Sequence, residues 1–185
     1  RLEEKIKSIT KDKAEEMIFY MQKHAEEDLK ILEQIIADLD AAFKRKDEKY
    51  EKVRDTVLEY LQKGEKVLLI SQFRATVIDY YKRFMSEEKF QNYKLAQVTG
   101  HAEDWYIGNE LQTSKETILE CFSPRSKKRP DIVGTEDEVQ LLIGTETLSV
   151  GQNLQDCRVL MNLDLPYNPM NLEQRIGRID RPREE

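Results

Sequence analysis

The sequence predicts an α/β protein: a parallel sheet flanked by helices, with a helical arm in front of it. Two observations carry this. From residue 64 onward, short runs of wholly apolar residues alternate with stretches of helical periodicity, the pattern of a buried parallel sheet with crossover helices. Before that point, residues 1–63 are dense in charge and contain no Gly and no Pro, which favours uninterrupted helix. The expected organisation is a helical arm or protrusion over 1–63 and an α/β domain over 64–185, its crossovers right-handed.

Taken in order, apolar residues from Ala14 through Ile18, Met21, Leu29, Leu32 and Ile36 to Phe43 recur near every 3.6 positions and mark one stripe of a long helix. The cluster KRKDEK at 44–49 is the expected break. Tyr50, Val53, Val57, Tyr60 and Leu61 then line a second helix, which Gly64 caps. The pair forms either a hairpin packed on the neighbouring domain or an extended arm that meets a partner. Val67-Leu68-Leu69-Ile70 is the first strand, left through Ser71-Gln72-Phe73 into a helix with Ala75, Ile78, Tyr81 and Met85 on one face. Lys94 to Val98 is the second strand, closed by Thr99-Gly100, with His101 and Trp105 in a polar loop beyond. Thr113-Ser114-Lys115-Glu116 reads as a capping box for a helix that Ser123-Pro124 ends. Val139 to Ile143 and Val159 to Leu163 complete four strands. Asn168-Pro169 reads as an N-cap followed by Pro at the first helical position.

The composition sets bounds on function. Charged residues make up 36% of the 185 residues, against roughly 25% in ordinary domains, and the net charge of −6 confines any nucleic-acid contact to a local patch. Arg125-Ser-Lys-Lys-Arg129 is the dense basic loop, either solvated or in contact with phosphates through Lys127, Lys128 and Arg129. Cys121 and Cys157 sit in apolar contexts without metal-like spacing and read as reduced, buried thiols of a cytosolic protein. No run approaches the roughly 20 apolar residues of a membrane span. The start at Arg1 without Met and the stop just beyond the arginines point to a piece of a larger protein. Near that stop, Gln174, Arg175, Arg178 and Arg181 recur every three or four residues, so on a helix and its exit turn they face one way. A guanidinium row beside Gly177 suits recognition of anionic oxygens.

Three stretches carry a family resemblance. KVLLISQFRATVIDYY resembles the fourth motif of superfamily-2 helicases. TETLSVGQNL followed by LMNLDLPYNP resembles the fifth motif and its extension in the Swi/Snf family, and QRIGRIDR resembles the sixth. The combination LPYNPMNLEQRIGRIDR is most similar to the bacterial RapA/HepA-like ATPases associated with RNA polymerase.

The resemblance implies a RecA-like helicase C-terminal lobe, its sheet truncated at the C-terminal edge because the family has a further strand beyond the arginine motif. It implies ATP with Mg²⁺, bound mainly by an absent N-terminal RecA-like lobe; no G-x-x-x-x-G-K-[ST] occurs in this chain, so the phosphate cradle lies elsewhere. Arg178 and Arg181 are then the arginine fingers. Gln174, Arg175, Gly177, Gly151 and Asn153 lie on the nucleotide side, with Arg175 either meeting phosphate or pairing with an acid such as Asp180. Ser71, Gln72, Thr99, Gly100 and Thr147 would face nucleic acid, with Glu146 beside them, while Asp164 and Asn168 order the corner between strand and helix. The expected partners are double-stranded DNA, the N-terminal lobe and, through the arm, a protein such as RNA polymerase. The expected setting is the bacterial cytoplasm, near the nucleoid. A fragment of this kind should not hydrolyse ATP alone. The competing readings are a non-catalytic RecA-like interaction module that uses its arm, and an RNA helicase lobe.

Overall fold

A strand that is apolar at every position needs cover on both faces, and the four apolar runs become the parallel strands of one sheet. The computed structural model describes residues 2–43, 47–148, 152–177 and 179. It contains strands β1 (Val67–Ser71), β2 (Leu95–Val98), β3 (Tyr106–Ile107), β4 (Glu110–Leu111), β5 (Leu141–Thr145) and β6 (Val159–Asn162). Its helices are α1 (Leu2–Phe43), α2 (Glu48–Gln62), α3 (Arg74–Ser86), α4 (Lys115–Phe122) and α5 (Pro169–Ile176). The sheet order is β4-β3-β2-β5-β1-β6. β2, β5, β1 and β6 run parallel, with Val67 opposite both Leu141 and Val159.

Side chains alternate between the faces, as the pleat requires. Val67, Leu69, Leu95, Leu141 and Ile143 pack with α2 and α3 around Val57, Val77 and Phe84. Leu68, Ile70, Ala96, Val98 and Leu142 pack with α4 around Ile118 and Phe122. Both cysteines are buried and unpaired, and burial pushes the Cys157 thiol up to about 12, which leaves it unreactive. No described helix is long and apolar enough to cross a membrane.

The structure departs from the sequence reading in two places. The sheet has six strands rather than four, because β3 and β4 add an antiparallel hairpin beside β2. The expected capping box is not formed: Ser114 rather than Thr113 is the N-cap of α4, and its side chain makes no cap hydrogen bond. The chain divides into two compact units, residues 1–48 and 49–185. The cause is burial: Tyr50, Val57, Leu58 and Leu61 of α2 join the same core as α3.

α2 ends as expected at Gly64, whose φ is +77°. Gly64 N–H donates to the Leu61 carbonyl at 3.0 Å and Glu65 N–H to the Tyr60 carbonyl at 3.0 Å, the paired bonds of a Schellman cap. The first unit is α1, a helix of 42 residues whose Met17, Ile18, Leu29 and Ile36 are more than half exposed.

Candidate functional site

In an open α/β sheet, ligand-facing groups collect at the carboxyl ends of the parallel strands. The site is therefore built from the segments that leave β1, β2, β5 and β6. Beyond β6 comes Asp164, whose carboxylate clasps the exit of β1. It accepts the Ser71 hydroxyl and the Gln72 N–H at 3.0 and 3.1 Å, while Ser71 Oγ accepts the Phe73 N–H at 3.0 Å. Ser71 is fully buried and Gln72 exposed. Of the two residues expected to face nucleic acid here, Ser71 is spent inside the fold. Farther along the corner, Asn168 caps α5 by accepting the Met170 N–H at 3.0 Å, with Pro169 at the first helical position, as its sequence anticipates.

The helix so started carries Arg175 inward, where it is 1% exposed. One guanidinium nitrogen donates to Asn162 Oδ1 at 2.5 Å and to the Asp164 carbonyl at 3.3 Å. Another donates to Glu146 Oε1 at 2.5 Å and lies 3.7 Å from Asp164 Oδ1. Of its two expected roles, the structure gives Arg175 the acid-pairing one, with Glu146 and Asp164 as partners. It is buried among groups from β6, from the turn after β5 and from the corner. Its Nε has no hydrogen-bond partner, and neither does the buried Asn153 Oδ1. Gln174 beside it is exposed. Gly177 closes α5 with φ −61°, its N–H donating to the Glu173 carbonyl at 2.9 Å. Gly151, Arg178, Asp180 and Arg181 lie outside the described residues.

The exit of β2 holds a second network. Thr99 is 1% exposed; its hydroxyl donates to Asp104 Oδ2 at 2.7 Å, and the indole N–H of Trp105 donates to its carbonyl at 2.9 Å. Asp104 also receives the Arg74 guanidinium, at 2.5 and 2.9 Å, and that hydrogen bond, with help from Thr99, holds its carboxyl below the usual range. Thr99 thus anchors the loop from within and does not present its side chain for binding. Gly100 is exposed, and a Cβ there would lie 3.5 Å from Thr147 Cγ2, so the turns after β2 and β5 are neighbours. The Thr145 and Thr147 hydroxyls share a hydrogen bond of 2.9 Å.

The basic loop after α4 is folded back on itself. Asp156 accepts the Arg125 and Ser126 N–H groups at 2.8 and 3.0 Å. Arg129 is bound to Asp131 at 2.9 Å and to Glu120. Lys127 donates to Gln152 Oε1 at 2.6 Å. Lys128 is exposed, in left-handed backbone at φ 59°. Sequence reasoning missed Asp104, Asp156 and Lys115, whose ammonium donates to the Thr147 carbonyl at 2.6 Å. Asp104 and Asp156 lie in no periodic or motif-bearing stretch, and Lys115 was read only as part of the start of α4.

Residues 48–183 match the helicase conserved C-terminal domain family. The chain belongs to that family. The family and the parallel order of β2, β5, β1 and β6 establish the RecA-like α/β fold that the motifs imply. This helicase C-terminal domain is 33% identical over 117 residues to the uncharacterized ATP-dependent helicase YqhH of Bacillus subtilis (strain 168), covering 63% of this chain and 16% of that protein. It is 52% identical over 46 residues to the RNA polymerase-associated protein RapA of Serratia proteamaculans (strain 568), covering 25% of this chain and 5% of that one. The chain therefore spans a minor part of the relatives it matches. Among solved structures it is similar to the C-terminal part of the Fun30 ATPase domain, with a TM-score of 0.48 and 19% identity over 74% of this chain and 39% of that chain.

Proposed function

We propose that this domain is the second motor lobe of an ATP-dependent, duplex-DNA translocase of the Swi/Snf kind. The observation that carries the reading is the Arg175 anchor. It fastens α5 to β6 and to the turn after β5 through Asn162, Glu146 and Asp164, at the end of the sheet where α/β proteins bind ligands. Residues Gln174 to Ile176 of α5 open the QRIGRIDR stretch, in which Arg178 and Arg181 follow. The relatives' names, an ATP-dependent helicase and RNA polymerase-associated proteins, support nucleotide use and partnership with a transcription enzyme.

The donor set suits a nucleotide shared with another lobe. Gln174 is exposed at the end of α5 and offers a neutral amide, while Arg178 and Arg181 would supply guanidiniums to the terminal phosphate. ATP with Mg²⁺, held mainly by the N-terminal lobe, supplies the phosphoryl group and its charge. This chain's part is to bring its arginines against that charge, and to grip the DNA backbone through Gln72, Gly100, Thr147, Lys127 and Lys128. The setting proposed is the bacterial cytoplasm.

The test is the ATPase activity of the full-length parent with duplex DNA. Arg178→Ala and Arg181→Ala are each expected to lower kcat by about 10³-fold or more, as for arginine fingers in general, with ATP binding retained. Unchanged turnover would remove the motor reading. The exposed apolar stripe of α1 favours a second reading, an interaction module that binds a protein through its arm, and unchanged turnover would bring it forward. Stimulation by single-stranded RNA alone, with none by duplex DNA, would instead favour an RNA helicase.

A further inference from the structure

The apolar stripe of α1 also repeats every seven residues. Ile18, Ala25, Leu32 and Leu39 form one row, and Met21, Asp28, Ile35 and Ala42 a second row, three residues further on. Both rows lie within α1, and their large apolar side chains are between 47% and 62% exposed. Two rows at this spacing are the seam of a two-stranded coiled coil. Such a seam shows itself over about three to four heptads, the length from Ile18 to Ala42.

The surface of α1 carries a hole that belongs to this seam. Met21, His24, Ala25 and Asp28 line a shallow concavity, with Tyr20 at its edge. Those four positions surround a small residue of the first row, and they are the four that receive one side chain in knobs-into-holes packing. The His24 ring rests on Tyr20 with centroids 4.2 Å apart, and its Nδ1 lies 3.5 Å from Glu27 Oε2. That wall of the hole is therefore held from outside the seam.

We propose that α1 pairs with α1 of a second copy of this chain as an antiparallel coiled coil, with Ile35 of the partner subunit seated over Ala25. The inference is independent of the motor-lobe reading. Its basis is self-complementarity, since one helix carries both the hole and the knob. In antiparallel helices, first-row residues face second-row residues. Setting Ala25 against the partner's Ile35 sets Ile18 against the partner's Ala42, Leu39 against the partner's Met21 and Leu32 against the partner's Asp28. Each alanine of the seam then meets an isoleucine, so the layers fill evenly.

The opposite direction fails on volume and on charge. Parallel helices would stack Ala25 on the partner's Ala25 and leave a thin layer. They would also bring Asp28 against the partner's Asp28, two like charges in an apolar seam. The antiparallel register instead brings His24 within one turn of the partner's Asp38. Glu26, Glu33 and Asp40 fall on positions turned away from the seam, so two acidic helices can approach. A two-fold axis makes every contact occur twice.

The experiment is sedimentation equilibrium of this chain over a range of concentrations, joined to cysteine cross-linking. The chain is expected to approach twice its mass of 21.9 kDa as concentration rises. Ile35→Asp is expected to raise the dimer Kd by about 30-fold or more, and Glu33→Gln to leave it unchanged. Under oxidation, a mixture of Ala25→Cys and Ile35→Cys chains is expected to form a linked dimer, whereas Ala25→Cys alone is not. The wild-type chain, whose two cysteines are buried, is the control. Urea unfolding followed by circular dichroism shows that each variant keeps its α/β core, which lies in the other unit. A monomer at every concentration would overturn the pairing and leave the stripe to a different protein. A dimer that Ile35→Asp does not weaken would place the contact elsewhere and overturn it too. Linkage of Ala25→Cys to itself would overturn the antiparallel register.

Discussion

Arg175 is a charge enclosed by the fold, and its worth depends on keeping all of its partners. Removing one side of a buried ion pair leaves the other without compensation, at a cost of about 3–5 kcal/mol. Arg175→Met is therefore expected to lower stability by about 3 kcal/mol in urea unfolding, whereas an exposed phosphate-binding arginine would change it by less than about 0.5 kcal/mol. Asp104 makes a prediction about pH. The Arg74 hydrogen bond lowers its carboxyl, so the carboxylate binds fewer protons when folded than when unfolded. Its stabilisation is complete above the unfolded value of about 4 and disappears as pH falls through the lower folded value. Asp104→Asn is expected to flatten the fall in unfolding midpoint below about pH 4 while costing stability at neutral pH. Gly144 in β5 is a third such residue. A Cβ there would strike the Leu148 side chain and sit 2.8 Å from the Val98 carbonyl oxygen, so Gly144→Ala is expected to cost about 1–3 kcal/mol by overpacking.

Among the elements, legibility followed the strength of the local signal. The four parallel strands could be read because each is a short, mainly apolar run; β1, β2 and β5 are buried at every position, and β6, at the edge of the sheet, is half-buried. The hairpin of β3 and β4 could not, since two residues per strand leave no periodicity and its pairing is made by the backbone. The N-cap and proline of α5 were legible from Asn168-Pro169, because both act within the next turn. The inward turn of Arg175 was not. Its spacing in the arginine row is the same whether it faces a ligand or an acid, and only the positions of Glu146 and Asn162, brought by two other strands, decide between them. Thr113 failed as a cap because α4 starts one residue later. The cap of α2 makes its own prediction: Gly64→Ala forces a Cβ into φ +77° and is expected to cost about 1 kcal/mol, read as a shift in denaturant midpoint without a change in slope.

For the whole molecule, the division at Glu48 and Lys49 separates a helix with a largely exposed apolar stripe from a domain with its own two-sided core. A chain of residues 49–185 is accordingly expected to unfold cooperatively with the midpoint of the full chain. Ending the chain at residue 140 is expected to abolish that transition, because β5 lies between β2 and β1 and bonds to both. Far-ultraviolet circular dichroism in urea checks both outcomes.

That middle position of β5 has a consequence for how the protein comes into being. β1 and β2 are made before β5 on the ribosome, yet neither is the other's neighbour. Val67 waits for Leu141, and Leu95 waits for the same residue. Until that segment emerges, two apolar strands stand with open edges, the state in which nascent chains associate wrongly. α2 waits with them, since Tyr50, Val57, Leu58 and Leu61 share a core with Leu141 and Ile143.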